Sequence, residues 1–535
     1  MHFWGRKTII QTTWAAVMAA CVLIGCSKAE GTPTVIAPSQ ENALPYEDPA
    51  DKLPVTGAIS PVRPRILVDQ GGYLTGAEKI AYFIGDDIPR TYEIRRTRDD
   101  KHMFTGSISS SSYRGEGEPC LADFTEFQTD GEYYLYAEGM GESCAFTIGD
   151  DAYDSLSSEA MHLYYLNRCG VTLSEEYAGE AARSGCHLGG AATEKDPAAL
   201  LDVTGGWHLD GNADRDVPAG CRVVNNLLLA YEMNKDSFGD DSAIPESGNG
   251  LPDILDEAGV EVRWLLKMQD EATGSVHASA ITKDTGKVTV TAATNDATVS
   301  FAATVAWYGY LYEEYDRGFA EKCKSAAERA YESFLKSGYP ADYPASLHAA
   351  AQLYRLTADK HYENVLTLYF RTDDYYKKMI TDENLFLAGI CYLMTNRPVN
   401  TQVCSRIMDG FKDETLRIVG QSNMSVWGVG EEDLFDEEMT VREDDRESFE
   451  AFYEKLERIL DEMRILTVMN HIIYSREYTG VLEDYLHYLL GCNPTGADLA
   501  ASGGEYSASD LGAPAGVMYD AVYDAKFLIL LGAVR

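Results

Sequence analysis

Positive charge is what this sequence has least of. Its 535 residues carry 45 Lys+Arg against 85 Asp+Glu, a formal charge of −40, and no Lys/Arg run offsets that surplus. Nucleic-acid binding is driven by neutralising phosphates, so a field of this sign excludes it. Long apolar runs are also missing beyond the first residues, where none approaches the ~20 residues that a membrane span requires. With 45% hydrophobic and 24% charged residues, the composition is that of a soluble globular chain able to bury a sizeable core. At roughly 100–200 residues per domain, length alone suggests two to four domains.

The start of the chain is different. Arg6-Lys7 precedes an apolar stretch from Ala15 that ends in Leu23-Ile24-Gly25-Cys26-Ser27. A basic start, a short apolar region and a small residue before cysteine resemble a bacterial lipoprotein signal over residues 1–26, which would leave Cys26 lipid-modified. A plain transmembrane anchor is the alternative. The expectation is an extracytoplasmic protein, lipid-anchored to the bacterial cell membrane and touching it through the anchor only. Residues 27–64, rich in Pro, Ala, Ser, Thr and Glu without periodicity, read as a flexible tether. Eleven cysteines less Cys21 and Cys26 leave nine, an odd number where disulfides can form, so not all can pair internally. Cys120 and Cys144 fall in one small domain and are candidates for a bridge.

From residue 65 to 150 the runs are short and strand-like, among them Lys79-Ile-Ala-Tyr-Phe-Ile84 and Gly131-Glu-Tyr-Tyr-Leu-Tyr136. Alternation, tyrosine and β-branched enrichment, and Gly/Asp punctuation predict a small antiparallel β-sandwich of immunoglobulin type. From 151 to 535 the period becomes helical. Stretches near 153–169, 219–235, 252–270, 294–316, 318–338, 343–357, 359–371, 384–396, 400–420, 448–472, 478–490 and 519–534 make about twelve helices. Pro252-Asp253 opens a first turn, and Gly491-Cys492-Asn493-Pro494 stops the helix before it. Long helices, short loops and no clear intervening strands favour an α/α toroid.

Pro245-Glu246-Ser247-Gly248-Asn249-Gly250-Leu251-Pro252-Asp253-Ile254-Leu255-Asp256-Glu257 and the preceding Gly205-Gly206-Trp207-His208 resemble glycoside hydrolase family 9. The likeness extends to Val68-Asp69-Gln70-Gly71-Gly72-Tyr73, Arg168-Cys169-Gly170, Gly274-Ser275-Val276-His277 and Leu490-Gly491-Cys492-Asn493-Pro494, and so covers almost the whole chain. It implies an immunoglobulin-like module followed by an (α/α)6 barrel, and a background of inverting hydrolysis of β-1,4-glucans. The expected partner is β-glucan or a related polysaccharide, met in polysaccharide utilisation.

Cys169, the adjacent Cys186-His187 and His208 supply two thiolates and two imidazoles, a set that suits a closed tetrahedral structural zinc. The resembled family places a zinc at these motif positions, beside its cleft. A Cys169–Cys186 disulfide with two surface histidines is the alternative. Calcium also stays open, because acidic loops such as Glu431-Glu432-Asp433 are abundant.

Inverting hydrolysis needs a carboxylate base to activate water and a carboxylic acid to protonate the leaving oxygen. In the resembled family, Gly-Gly-Trp-His runs on into Asp-Ala-Gly-Asp. Here the continuation is Leu209-Asp210-Gly211-Asn212, so both water-holding aspartates are changed. The acid position, set by Tyr523-Asp524-Ala525, falls on Met518. No histidine follows His487, so the family's sugar-binding His-Arg segment is absent, and a short connection from Ala500 to Gly516 replaces a longer loop. Relocated carboxylates are Asp210, Asp214 or Asp216 as base and Asp520 or Asp524 as acid, with Asp210 and Asp520 the preferred pair. Trp207 and Trp427, each beside a glycine, and His277 are candidate substrate contacts; Trp264 and Trp307, on helical stretches, read as packing residues. Three functions fit: a β-glucan hydrolase with an altered catalytic set, a non-catalytic carbohydrate-binding or scaffold lipoprotein, and a barrel serving protein contacts alone.

Overall fold

The computed structural model describes residues 63–109, 119–209, 212–283, 286–436, 439, 446–500, 505–511 and 520–535. The leader, the tether, Cys26, Asp210 and Met518 therefore lie outside the described residues.

The first domain is two facing antiparallel sheets. One holds β1 (Ile66–Leu67), β2 (Ile80–Phe83) and β5 (Cys120–Asp123). The other holds β3 (Thr91–Arg96), β4 (Lys101–Ser107), β6 (Gly131–Ala137), β7 (Gly141–Glu142) and β8 (Phe146–Ile148), in the order β4-β3-β6-β7 with β8 also paired to β6. The alternation read from Gly131 onward sends Tyr133, Leu135 and Ala137 of β6 into the core. There Tyr73 meets Phe124 and Phe146 edge to face, Phe127 meets Tyr133 edge to face, and Phe83 of one sheet lies 6.0 Å from Tyr92 of the other. Cys120 and Cys144 do not bridge. Both are unpaired thiols, as are all nine described cysteines. Cys144 is buried, which pushes its thiol up to about 12.

The second domain is helical. Its long helices are α1 (Asp154–Leu166), α3 (Val217–Met233), α4 (Asp253–Lys267), α5 (Asn295–Tyr312), α6 (Arg317–Lys336), α7 (Pro344–Thr357), α8 (Lys360–Tyr369), α10 (Glu383–Met394), α11 (Thr401–Ser422), α12 (Arg446–Ile472), α13 (Arg476–Leu489) and α14 (Ala521–Val534); α2 (Glu175–Ala178) and α9 (Asp373–Lys378) are single turns. The long ones coincide with the predicted stretches to within a few residues. Helices α5, α10 and α14 are buried on nearly every side, whereas α6 and α11 bury one stripe only. α3 packs on α4, α5 and α14, α5 on α6 and α7, α7 on α10, and α12 on α11, α13 and α14.

The expectation of a strand-free second domain is corrected. β9 (Ala191–Thr193), β10 (Leu200–Leu201), β11 (Arg215–Asp216), β13 (Ser279–Thr282) and β14 (Val288–Val290) form a five-stranded sheet, and β12 (Val276–His277) pairs with β15 (Ala293–Thr294). Strands of two to four residues are too short to show a period and are made by pairing between distant loops.

The two domains share a buried polar joint. Asp69 lies between the His487 imidazole of α13, 2.6 Å away, and the Tyr153 hydroxyl, while Gly72 N–H donates to its other oxygen. Burial pushes the Asp69 carboxyl up, and Asp69 in turn holds His487 above its ordinary value despite burial. Asn493 ties the turn after α13, donating to Tyr488 O and Ala497 O while Thr495 and Gly496 N–H donate to its Oδ1.

Burial lifts Glu261 to about 8 and Asp484 to about 7. A carboxyl with a raised native pKa holds its proton in the folded chain after the unfolded chain has released it, so stability falls as pH rises toward the native value. Between pH 6.5 and 8 the urea midpoint is expected to decrease, with Glu261 alone contributing on the order of 2 kcal/mol. Glu261→Gln should flatten that slope; an unchanged slope, measured by urea unfolding at both pH values, would contradict the assignment.

Candidate metal centre and carboxylate-lined opening

An isolated bridge between Arg168 and Trp207 lays the end of α1 beside the Gly205-Gly206-Trp207-His208 loop. Cys169 N–H donates to Gly206 O and His208 N–H to Asn167 O, so Cys169 and His208 enter one space from adjacent segments. Arg168 anchors this pairing. Its guanidinium forks onto Glu246, at 2.8 and 2.9 Å, and onto Glu257 of α4, at 2.6 and 3.2 Å, and Glu257 is wholly buried. Trp207 N–H donates to Glu261 Oε2 and its indole N–H to Glu257. These are the acids of the Pro245–Glu257 motif and its next turn, which explains why the two motifs occur together.

The second pair of donors arrives on the loop before β9. His187 has φ +50°, a left-handed conformation that costs a non-glycine residue about 1 kcal/mol or more. It swings Cys186 and His187, which an extended chain would point apart, toward one centre. One donor atom from each of Cys169, Cys186, His187 and His208 lies within 4.8 Å of all the others. Sγ–Sγ is 3.9 Å, Cys169 Sγ to His187 Nδ1 3.4 Å, Cys186 Sγ to His208 Nε2 3.6 Å and His187 Nδ1 to His208 Nε2 3.4 Å. His187 Nε2 faces Thr282 Oγ1 at 3.4 Å, which leaves Nδ1 for the centre. The Cys186 thiol is held far below its ordinary value, first by the Cys169 thiol and then by His187 and His208. This is a donor set able to hold one metal ion. Both cysteines are unpaired, so the alternative disulfide is not present.

The sequence-predicted cleft residues separate. Trp207, expected to offer a ring to substrate, is 1% exposed and packs on Tyr164; Trp427 is 8% exposed and stacks on Tyr82 at the domain joint. Both glycine-flanked indoles therefore serve packing, and neither presents an open face. His277 is half-buried on β12, with Nδ1 2.7 Å from Thr291 O. Trp264 and Trp307 are buried, as expected of packing residues.

Around the family's catalytic positions, Leu209 is half-buried against the core and Asn212 is exposed. Asp214 Oδ1 accepts from Thr282 N–H, and Asp216 caps α3 by accepting from Ala219 N–H. Asp520 caps α14, accepting from Val522 and Tyr523 N–H. Burial raises its carboxyl, against the pull of those N–H groups, Arg222 and Lys526. Asp524, the other proposed acid, is 0% exposed, neither oxygen has a partner among the described residues, and burial pushes its carboxyl well up. Glu432 and Asp433, weighed for calcium, both pair with Arg458 instead.

One arrangement escaped the sequence reading. The starts of the interior helices gather at one end: Asp296 in the first turn of α5 accepts from Tyr343 at the cap of α7, and the Asp382 cap of α10 also acts on Tyr343. From the following residue, Glu383 reaches Arg222 on α3 at 3.0 Å and Arg464 on α12 at 2.8 Å. Lys526 of α14 joins Asp461 and Glu457 of α12 at 2.9 and 3.2 Å. Burial would push Glu383 up, but Arg464, Arg222 and Lys526 hold it well below its ordinary value. Only the position of Glu383 at a helix start was legible; its partners are 81 to 161 residues away.

A two-sheet immunoglobulin-like domain followed by a helical domain with this motif set defines a class of carbohydrate-active protein. Residues 153–505 match Glycosyl hydrolase family 9 and residues 62–142 match Cellulase N-terminal ig-like domain; the chain belongs to glycosyl hydrolase family 9. It is 28% identical over 492 residues to a cellodextrinase of Butyrivibrio fibrisolvens, covering 82% of this chain and 85% of that one. A metagenome-derived family 9 endoglucanase shares its fold at TM-score 0.72 and 21% identity, over 88% of this chain and 99% of that one. So does a Zn-binding triple mutant of the family 9 endoglucanase J30, at TM-score 0.70 and 19% identity over 86% and 99%.

Arg168→Met leaves the wholly buried Glu257 without its partner. The expected cost is about 3–5 kcal/mol in urea unfolding, whereas a loss below ~1 kcal/mol would show that the fork does not hold the two motifs together.

Proposed function

We propose that the chain recognises β-glucan or a related polysaccharide on a closed six-hairpin (α/α)6 toroid, with hydrolysis impaired or altered, as a surface lipoprotein tethered through Cys26 and serving polysaccharide utilisation. The contact of α14 with α3, which brings the last helix onto the first of the interior set, supports closure of the toroid. The cellodextrinase relative supports the glucan class.

The observation that carries the reading on catalysis is the loop after His208. Where the family holds two water-binding aspartates, this loop has Leu209 and Asn212, and the next acids along it, Asp214 and Asp216, spend oxygens on backbone N–H groups of Thr282 and Ala219. An asparagine can orient water but does not accept its proton at neutral pH. Asp520 favours a second reading, hydrolysis by the relocated pair Asp210 and Asp520: a half-buried carboxyl held above its ordinary value is what a general acid requires.

The metal that suits the Cys169–Cys186–His187–His208 centre is zinc. A tetrahedron with Zn–N of ~2.0–2.1 Å and Zn–S of ~2.3 Å has edges of ~3.3–3.8 Å; four of the six donor pairs lie 3.4–3.9 Å apart, and all six lie within 4.8 Å. The Zn-binding relative adds support. Four protein ligands leave no open position, so the ion would pin the loop from 169 to 208 and take no part in chemistry. The purified chain is expected to carry one zinc by elemental analysis, and Cys186→Ser to lose it together with several degrees of thermal midpoint. A metal-free wild-type chain of equal stability would refute the assignment.

Reducing-sugar release from β-1,4- and mixed-linkage glucans separates the readings on catalysis. Residues 28–535 should release at least ~100-fold less than the variant carrying Leu209→Asp, Asn212→Asp and Met518→Glu. Turnover by the unaltered chain that Asp210→Ala or Asp520→Ala abolishes would instead establish the relocated pair.

A further inference from the structure

Arg222 is an unusual residue for the inside of a ring of helices. It sits on the second turn of α3, yet its partners lie on other interior helices: Glu383 at the start of α10, 3.0 Å from Nε, and Glu457 of α12, 3.7 Å from Nη2. A side chain that reaches several interior helices at once points into the space they enclose. Nevertheless half of the Arg222 side chain is solvent-exposed, as is 41% of Glu457. Exposure combined with cross-ring partners describes the floor of an opening. Asp520 lies close enough to be acted on by the Arg222 charge, and its helix begins at the same end.

The composition of this floor selects its ligand. Arg222, Arg464 and Lys526 are opposed by Glu383, Glu457 and Asp461, so the ensemble carries little net charge before Asp520 is counted. An anion would meet these carboxylates within a protein of charge −40. A neutral sugar hydroxyl both donates and accepts, and it matches a guanidinium edge set beside carboxylates.

We propose that Arg222 contacts sugar in the opening, its free guanidinium edge donating to ring hydroxyls of a neutral glucan while Glu457 and Asp520 accept. The proposal rests on the glycan-recognition reading above and adds a contacting residue to it.

Titration calorimetry with cellohexaose, and with a cello-oligosaccharide oxidised to carry a C6 carboxylate, tests it on the wild-type chain, Arg222→Lys and Arg222→Met, with the thermal midpoint of each recorded. The wild type should bind cellohexaose more tightly than the oxidised probe. Arg222→Met should weaken cellohexaose binding by about tenfold or more, as loss of hydrogen bonds from a charged donor implies. Arg222→Lys, which keeps the charge and the ion pairs but not the fork, should lose affinity with its thermal midpoint unchanged, and this keeps the test valid if the methionine variant does not fold. Equal affinity of the wild type and either variant overturns the role of Arg222, and tighter binding of the oxidised probe overturns the neutral ligand class. A wild type that binds neither probe overturns the glycan reading itself, and this proposal with it.

Discussion

The Arg168 guanidinium between Glu246 and Glu257 is the interaction on which the rest of the site depends. It is a buried ion pair, and such a pair is bought with desolvation, so its value lies in fixing one arrangement rather than in net stability. With Arg168 held, the end of α1 must lie against the Gly205–His208 loop. Cys169 and His208 then face each other, and Trp207 drops into the core with its backbone N–H on Glu261 and its indole N–H on Glu257, the α4 acid that Arg168 also holds. The cluster of Cys169, Cys186, His187 and His208 is thus assembled beside an ionic scaffold.

The opposite constraint governs the opening. Several helix starts meet there, and each brings the positive end of its dipole. Acidic caps answer that potential at Asp216, Asp382 and Asp520. With so many acids drawn to one end, three cations from α3, α12 and α14 are needed among them. Charge that looks like a random share of an acidic chain is, at this end, organised by helix direction.

Much of this was legible in the sequence. Twelve helical periods, the alternation in Gly131–Tyr136 and the four metal-capable side chains all rest on local pattern or on motif, and both survive without knowledge of the fold. What escaped has a common cause. The strands of the second domain are too short to have a period. The burial of Trp207 and Trp427 depends on Tyr164 and Tyr82, which are distant in sequence. A glycine neighbour marks a turn, and both of these turns are covered by other segments. Arg222 gave no signal because an arginine on a helix reads as surface until its partners on α10 and α12 are in place.

The Asp69 joint bears on modularity. Its carboxylate belongs to the sandwich, whereas the imidazole and phenol that satisfy it belong to α13 and to the residue before α1. Cutting between the domains would leave the buried His487 imidazole without the Asp69 carboxylate that lies 2.6 Å from it. The front domain therefore completes a buried part of the helical domain, and grafting it onto another helical body would require carrying the face of α13 along with it.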